Sequence, residues 1–432
     1  MQMKINYRIL SLILIFVSFS SLFLGFYLDE NSAGAGSYNG DIRTIWNNLQ
    51  IFLTNDLISS INHPDYFDSR TPIAYVFHEV FNPFVDNITS YRRSVFIISL
   101  ILPVLFYFCL KQKFTNNDNI LLLLISSTVC LSPYFRTSSY WGLEENFGLI
   151  FLLLTFMSLS KFLKSEKQDG SKIHLLLFAT TFFSSCCLYF DQKLIIIPTI
   201  CFITIIKSNK LLKLKLFSIF YYFLLSLPYI YLIILWGGLI PTASIESRKL
   251  GSEIFLDHIG FTSTMIAFYL LPLLLFRNES IKDLIKNSFL NKRNYFLLSL
   301  FIIYIFYMIV FYDLNEQLTP GKGFINKISL MFFNENLLKS IFIYVSFFIS
   351  WIIILIYIEN KLIDVLTIVY LFILSIFLWP IHQEYFDPLI LLMAFTFFNS
   401  KMILDYKNST ILFIYLFILL ISSNIYYTNL LN

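Results

Sequence analysis

Long runs of Leu, Ile and Phe recur along the whole chain and constrain its fold more than any other feature. The first of them, residues 9–28, contains no charged residue. A helix needs about 20 apolar residues to cross a hydrocarbon core about 30 Å thick. Of the 432 residues, 57% are hydrophobic and only 13% are charged, which lies far outside the range of soluble globular domains. The sequence therefore predicts an all-α integral membrane protein.

The apolar segments predict a polytopic protein with about 11 to 13 transmembrane helices. We expect residues 1–432 to form a single membrane domain. Short connections such as 207–215 and 277–294 are rich in Lys and Arg, which places them in the cytoplasm by the positive-inside rule. The three longer connections then lie on the outer face: a long first outer loop, 29–93, and the loops 237–258 and 312–339.

Three apolar segments are too short to cross a membrane, and each adjoins a polar cluster on the outer side. Irregular backbone at membrane depth must line an enclosure, because an unsatisfied polar group in lipid costs several kcal/mol. We therefore expect an outward-facing cavity on which the clusters near Glu144, Asp191 and His382 converge with the first outer loop. The alternative is that these helices continue through the polar residues. The short segments are 147–160, 194–206 and 388–398.

The first outer loop opens on two adjacent carboxylates, Asp29 and Glu30, directly after the first apolar segment. A carboxylate held at a helix end can act as a general base towards a hydroxyl group. The alternative is that the two acids mark the water boundary of the helix. Further acids and cations follow in the same loop, namely Asp41, His63, Asp65 and Arg70.

The layout resembles the GT-C superfamily of membrane glycosyltransferases. YLDE (27–30) is similar to the acidic opening of the dolichyl-phosphate-glucose α-1,2-glucosyltransferase family. PDYFDSRTPIAY (64–75) is similar to an Asp-Tyr-Pro-Pro-Leu stretch of the superfamily, with Phe-Asp-Ser-Arg inserted and one proline. WGGLIPT (236–242) and HQEYFDP (382–388) are similar to later elements of such enzymes. The resemblance implies an acidic catalytic residue in the first outer loop and an inverting transfer of a sugar.

Under this resemblance, the candidate catalytic residues are Asp29 and Glu30, with Asp41 in reserve. A departing lipid phosphate also needs cations or hydrogen-bond donors, and a guanidinium offers paired donors to phosphate oxygens. We expect Arg92 and Arg93, at the mouth of the second span, to contact lipid headgroups instead. The candidate substrate-binding residues are His63, Asp65, Arg70, Arg136, Glu144, Lys322, His382, Glu384 and Tyr385.

The implied partners are a polyprenyl-phosphate sugar donor, a glycan or lipid-linked acceptor, and membrane lipids, with no nucleic acid. No cofactor is required by the sequence. A divalent cation is compatible with Asp29, Glu30, Asp41 and His63, but their spacing does not demand one, so no metal ligand is assigned. The expected location is a bacterial inner membrane with a periplasmic active site, or an endoplasmic reticulum membrane with a luminal one.

Two other functions are compatible with a multi-pass membrane protein. The first is a lipid or polysaccharide transporter, or flippase, and the second is a polymerase or ligase for surface polysaccharide. Transporters tend to contain internal repeats and ionisable residues in the middle of spans. This sequence shows no repeat, and its ionisable residues fall at outer helix ends. A polymerase or ligase is expected to carry its main outer loop later in the chain.

Overall fold

The computed structural model of the protein describes most of the chain. Within the described residues the secondary structure is helical, and the one β-type pairing is an isolated bridge between Arg277 and Met402. The predicted all-α fold is confirmed. The described residues are 6–34, 36–68, 70–165, 170–241, 244, 254–277, 279, 283, 286, 292–312, 321–358, 362–398 and 402–430.

The chain divides into two compact units, residues Met1–Ser247 with Leu416–Asn432, and residues Arg248–Tyr415. The single membrane domain expected from the sequence thus contains two units. The helices of the first unit are α1 (Tyr7–Tyr27), α2 (Asp41–Thr54), α3 (Leu57–Ile61), α4 (Ile73–Phe81), α5 (Ile88–Ser99), α6 (Ile101–Lys113), α7 (Asn119–Ser127), α8 (Pro133–Trp141), α9 (Glu145–Lys164), α10 (Gly170–Phe190), α11 (Ile196–Lys207) and α12 (Leu212–Trp236).

The second unit is also helical where it is described. The last helix crosses the boundary, because its residues from Leu416 onward belong to the first unit. The helices are α13 (Asp257–Leu270), α14 (Lys292–Phe311), α15 (Gly323–Phe332), α16 (Asn336–Tyr357), α17 (Leu362–Phe377), α18 (Leu389–Phe395) and α19 (Tyr406–Leu430). Short 3₁₀ turns occur at Thr128–Leu131, Gln192–Ile195, Pro272–Phe276 and Gln383–Tyr385.

Nine spans among the described residues are long and apolar enough to cross a membrane, and a bent pair of helices raises the number to ten if it counts as one span. The protein is therefore a multi-pass membrane protein. The number is smaller than the predicted 11 to 13, because several apolar segments form helices shorter than a membrane crossing. The spans are α1, α5 with α6, α9, α10, α12, α13 with its 3₁₀ extension, α14, α16 and α19, and the bent pair consists of Asn119–Leu131 and Pro133–Trp141.

The three segments expected to be short behave differently from one another. The helices α11 and α18 are indeed short, with 12 and 7 residues. The expectation that segment 147–160 is too short to cross a membrane is wrong, because α9 extends over 20 residues and begins at Glu145. The helix can start among polar residues because they find partners. Asn146, for example, donates to the hydroxyl groups of Ser99 and Ser139 at 3.2 and 2.8 Å.

The first connection contains three helices, α2 to α4, before α5 begins at Ile88. In α2, Ile42, Ile45, Leu49 and Phe52 are buried, at a spacing that places them on one face of the helix. This face packs on α4, where Tyr75 stacks on Phe52 with ring centroids 5.4 Å apart. The connection is therefore a packed structure that can hold polar side chains in fixed positions.

Candidate functional site

Polar residues of the first unit gather where four of its spans begin or end. α1 ends at Tyr27, α5 begins at Ile88, α9 begins at Glu145 and α10 ends at Phe190. Hydrogen bonds and ion pairs join the residues next to these termini, as the following contacts show. These four spans therefore present their termini on one side, together with the helical first connection.

Asp29 lies two residues beyond α1 and forms an ion pair with Arg92 of α5. The Asp29 carboxylate is 2.6 Å from the guanidinium, and the exposed fractions of the two side chains are 53% for Asp29 and 5% for Arg92. The backbone of Asp29 has φ 55°, a conformation that few residues other than glycine adopt, although Asp tolerates it better than most. Asp29 is thus a half-exposed carboxylate that is held in place by a buried arginine.

Several contacts fix the Arg92 side chain. Its Nε donates to the Tyr140 carbonyl at 2.5 Å, and Nη1 donates to the Tyr38 hydroxyl at 2.8 Å. The guanidinium also lies over the Trp141 ring, 4.0 Å from the centroid. The expectation that Arg92 contacts lipid headgroups is therefore wrong, because its guanidinium is buried among aromatic rings. The neighbouring Arg93 is exposed.

Glu30 forms a buried ion pair with Arg136 of α8. Arg136 Nε lies 2.9 Å from Oε1 of Glu30, and Nη2 contacts Oε2. Asn424 of α19 donates to the same carboxylate at 3.1 Å. A side-chain carbon at Gly25 would overlap the Glu30 carboxylate, so only glycine at that position of α1 permits this approach. Through these contacts, Glu30 links the segment that follows α1 to α8 and α19.

A second group of ionisable residues lies between the first connection and the start of α9. Arg70 forms an ion pair with Glu145, and its backbone N–H donates to Asp68 Oδ1 at 3.0 Å. The Tyr75 hydroxyl donates to the other oxygen of Asp68. Burial by itself lowers the pKa of Arg70, but the neighbouring carboxylates together raise it well above its usual value. These carboxylates are Glu145, Asp68, Glu144 and Asp191.

Glu144 is the most enclosed acid of this second group. Gly142, with φ 72°, ends α8 and turns the chain so that Glu144 is only 1% exposed. Within the described residues, neither carboxylate oxygen of Glu144 has a hydrogen-bond partner. The Tyr75 hydroxyl lies nearby but donates its single proton to Asp68. Burial, and then the charge of Asp68, raise the pKa of Glu144 well above its usual range.

Asp191, Lys193 and Thr71 connect α10 to the second group. Asp191 and Lys193 form an ion pair of 3.2 Å, and Thr71 donates to the carbonyl of Tyr189. Because Asp191 and Glu144 both act on Arg70, the polar clusters at the ends of α8 and α10 meet the first connection here. This convergence was expected from the sequence for Glu144 and Asp191.

Three other candidates of the first connection lie apart from the Asp29 ion pair. Asp41 is exposed in the first turn of α2. His63 lies 3.9 Å from Asp65, whose side chain is 86% exposed. Asp41 and Asp65 are exposed and His63 is partly buried, and among the described residues no contact joins His63 or Asp65 to the carboxylates described above.

The remaining candidates belong to the second unit. Lys322, with φ 58°, forms an ion pair of 2.6 Å with Asp257, and both side chains are buried, 4% and 1% exposed. Its backbone N–H donates to the Ile381 carbonyl at 2.7 Å. The ring of His382 is 5.8 Å from that of Tyr385. Glu384 lies close to Lys327, where burial lowers the pKa of the lysine to about 8 against the opposing effect of the Glu384 charge.

Sequence reasoning missed two residues that the structure places at the centre of these groups. Asp68 lies in the quoted DYFDSR stretch, two residues before Arg70, and this spacing allows it to accept the N–H of Arg70. Asp257 stands at the start of α13, where a single acid before an apolar run could have been noticed. Neither partner of Asp257 is close to it in sequence: Tyr312 donates to its carboxylate at 2.9 Å, and Lys322 lies further along the chain.

The described residues contain no group of three or more His, Cys, Asp or Glu side chains that could hold a metal ion. Asp29, Glu30, Asp41 and His63, which the sequence offered as a divalent-cation set, all belong to the described part of the chain.

Comparisons with family models, with curated proteins and with solved structures found no match for this chain. The resemblance to GT-C glycosyltransferases stays a prediction that rests on the quoted motifs.

Proposed function

We propose that the protein is a membrane glycosyltransferase with Asp29 as its general base. It would move a sugar from a polyprenyl-phosphate-linked donor to a glycan or lipid-linked acceptor. The observation that carries this proposal is the placement of Asp29: the carboxylate directly follows a membrane-spanning helix, is half exposed, and is held by the buried Arg92. A carboxylate at this position can meet a hydroxyl group at the membrane surface.

The proposed reaction uses Asp29 to accept the proton of the acceptor hydroxyl group. The hydroxyl oxygen attacks the anomeric carbon of the sugar, the bond from that carbon to the phosphate oxygen breaks, and the phosphate leaves on its lipid. Such proton transfer contributes typically about 10²- to 10⁴-fold in rate when the base is well positioned. The contacts of Arg92 with Tyr140 and Trp141 support this role because they restrict where the Asp29 carboxylate can lie.

Glu30 has a different role in this proposal. Its carboxylate accepts hydrogen bonds from Arg136 and Asn424 and is 12% exposed, so it has little capacity to approach an acceptor. We assign Glu30 to positioning the segment that carries Asp29. An ion pair between α8 and the end of α1 can do this because both partners are held by further hydrogen bonds, such as that from Arg136 to the Ser21 carbonyl at 2.7 Å.

The donor phosphate needs a cation that is accessible. Arg70 and Arg136 are each paired with a glutamate, so their charges are largely compensated. Arg93 is exposed and follows Arg92 near the start of α5, at the membrane boundary expected for a lipid phosphate. We therefore assign the phosphate contact to Arg93.

The experiment is sugar transfer by the purified protein in proteoliposomes supplied with polyprenyl-phosphate hexoses. Asp29→Asn preserves the shape of the side chain and removes its basicity, so transfer should fall by about 10²- to 10⁴-fold. Asp41→Asn is the matched control, because Asp41 is an exposed acid of the same connection outside the Asp29 ion pair. Full activity of Asp29→Asn, or no transfer by the wild type from any such donor, would refute the proposal.

A second candidate function is proton-coupled transport. It is favoured by one observation, the buried Glu144 directly before α9, because ionisable groups within or next to spans often belong to proton pathways. A transporter of this kind should carry protons into liposomes that contain a pH-sensitive dye, and Glu144→Gln should stop the flux. A glycosyltransferase should carry none, so the two measurements together separate the candidates.

A further inference from the structure

Two buried side chains next to Asp68 have polar atoms without a hydrogen-bond partner among the described residues. They are the carboxyl group of Glu144 and the hydroxyl group of Tyr66. Glu144 is 1% exposed and Tyr66 is 2% exposed. Native proteins leave few buried polar groups unpaired, and each such group costs about 1–3 kcal/mol. Their concentration in one place points to a polar ligand.

The two side chains belong to one cluster around Asp68. Burial, and then the charges of Asp68 and Glu144, raise the pKa of Tyr66 well above its usual value, so both acids lie near its hydroxyl group. The rings of Tyr66 and Tyr75 meet edge to face, with centroids 6.1 Å apart. The Tyr75 hydroxyl donates to Asp68 and accepts from Asn48 at 3.2 Å. Tyr75 is therefore saturated, whereas Tyr66 and Glu144 are not.

The charges around this cluster decide the kind of ligand. The nearest cation, Arg70, is paired with Glu145, and Lys193 is paired with Asp191. With both cations already paired, the carboxylate of Asp68 beside the carboxyl group of Glu144 disfavours a phosphate or any other anion. The site therefore suits a neutral ligand.

The available donors and acceptors match a ligand that carries several hydroxyl groups. The carboxyl group of Glu144 accepts hydrogen bonds and donates one when it is protonated, Tyr66 can do both, and the Asp68 carboxylate accepts. The rings of Tyr66 and Tyr75 add apolar surface beside these polar atoms. A hexose combines alternating hydroxyl groups with apolar C–H faces.

Ser244 lies over this cluster and donates to the Asp68 carbonyl at 2.7 Å. It belongs to the connection after α12, where the Leu239 carbonyl accepts a hydrogen bond from Gln192 at 3.4 Å. Ser244 is itself 1% exposed, so this hydrogen bond is enclosed within the protein.

We infer that Tyr66, Asp68 and Glu144 form a binding site for a neutral hexose ring. The choice of a sugar among polyhydroxylated ligands rests on the proposed function, whereas the need for a neutral hydroxyl-bearing ligand follows from the cluster itself.

The test is binding of methyl glycosides of glucose, galactose and mannose, and of N-acetylglucosamine, to the purified protein in lipid nanodiscs, measured by saturation-transfer NMR. The wild type should bind at least one of them. Tyr66→Phe and Glu144→Gln should each weaken that binding by about tenfold or more, the equivalent of one hydrogen bond to a buried group. Tyr27→Phe is the matched control, because Tyr27 is 83% exposed and its hydroxyl group lies outside the cluster.

Both variants should keep the thermal unfolding temperature of the wild type, because the groups they change have no hydrogen-bond partner in the part of the chain that the structure describes. Weaker binding without loss of stability therefore identifies a ligand contact. The inference is overturned if the wild type binds none of these sugars, if Tyr66→Phe and Glu144→Gln bind as the wild type does, or if inorganic phosphate displaces the sugar.

The hexose site and the glycosyltransferase proposal can be refuted independently of each other. Binding that is lost in Tyr66→Phe, in a protein that transfers no sugar, would support the hexose site and refute the glycosyltransferase. Sugar transfer by the wild type, together with wild-type sugar binding in both variants, would support the glycosyltransferase and refute the hexose site.

Discussion

Arg92 and Asp29 form an ion pair in which one partner is buried and the other is half exposed, with 2.6 Å between guanidinium and carboxylate. The buried partner is fixed by the Tyr140 carbonyl, the Tyr38 hydroxyl and the Trp141 ring. The exposed partner is thereby held at the end of a membrane-spanning helix with one side open. This asymmetry distinguishes Asp29 from Glu30, whose carboxylate is enclosed by Arg136 and Asn424.

Replacing Arg92 by Lys should lower sugar transfer although the positive charge is kept. Lysine cannot stack a planar group on Trp141 and donate to Tyr140 and Tyr38 at the same time. The Asp29 carboxylate would then be less well positioned, and we expect kcat to fall by about tenfold or more. Arg43→Lys is the control, because Arg43 is an exposed arginine on α2. Equal activity of the two variants would show that Arg92 does not position the base.

Replacing Glu30 by Gln should destabilise the protein more than any change at Asp29. The Arg136 side chain is 2% exposed, so its charge would lose its main partner inside the protein. Breaking a buried ion pair in this way costs about 3–5 kcal/mol. Asp29→Asn should cost less than Glu30→Gln, because the Asp29 side chain is 53% exposed and so contributes less to the stability of its pair with the buried Arg92.

The measurement for Glu30 is thermal unfolding of both variants in detergent, followed by circular dichroism. The double variant Glu30→Gln with Arg136→Met should recover part of the loss, because it removes the unpaired buried charge. If Glu30→Gln unfolds at the wild-type temperature, the pair does not anchor the segment that carries Asp29.

The stability of the first unit should fall as the pH falls from about 6.5 to about 4. Burial lowers the pKa of His78 to about 4 in the folded protein, whereas in the unfolded chain it has its usual value of 6.5. Below pH 6.5 the unfolded chain therefore binds a proton that the folded chain does not, and stability is lost until the pH reaches the folded pKa. The expected loss is about 3 kcal/mol.

This pH dependence can be assigned to His78 by comparison with His78→Gln. The glutamine side chain does not titrate. Above pH 6.5 the free energies of unfolding of the variant and the wild type should therefore differ by a constant amount, and this difference should become smaller as the pH approaches 4. The measurement is the free energy of unfolding in denaturant at a series of pH values. Parallel curves for the two proteins would contradict the assignment.

The orientation in the membrane is tested by single cysteines at exposed positions. Ser37→Cys and Ser59→Cys lie in the connections expected to be outside, so they should react with an impermeant thiol reagent in intact cells. Asn116→Cys and Ser171→Cys should react only after permeabilisation. All four serine and asparagine side chains are exposed. The native cysteines are buried or partly buried, so the wild type is the unlabelled control. Labelling of only the second pair would place the Asp29 side in the cytoplasm.

The helical elements of this protein could largely be predicted from its apolar segments. The segment 9–28 becomes α1, and the segments that follow become helices because a backbone in lipid must satisfy its own hydrogen bonds. The number of spans could not be predicted as well, since apolar composition does not reveal where a helix breaks. The bend of 66° between Asn119–Leu131 and Pro133–Trp141 is an example.

The sequence by itself determined that the chain is a multi-pass helical membrane protein with acids at one helix exit, because hydropathy depends only on local composition. It could not tell Asp29 from Glu30, which are adjacent and chemically alike. Only the tertiary structure decided which carboxylate is enclosed, because Arg136 is 106 residues and Asn424 is 394 residues away from Glu30. The environment of a charged group is set by such distant partners, since burial and ion pairing depend on neighbours in space.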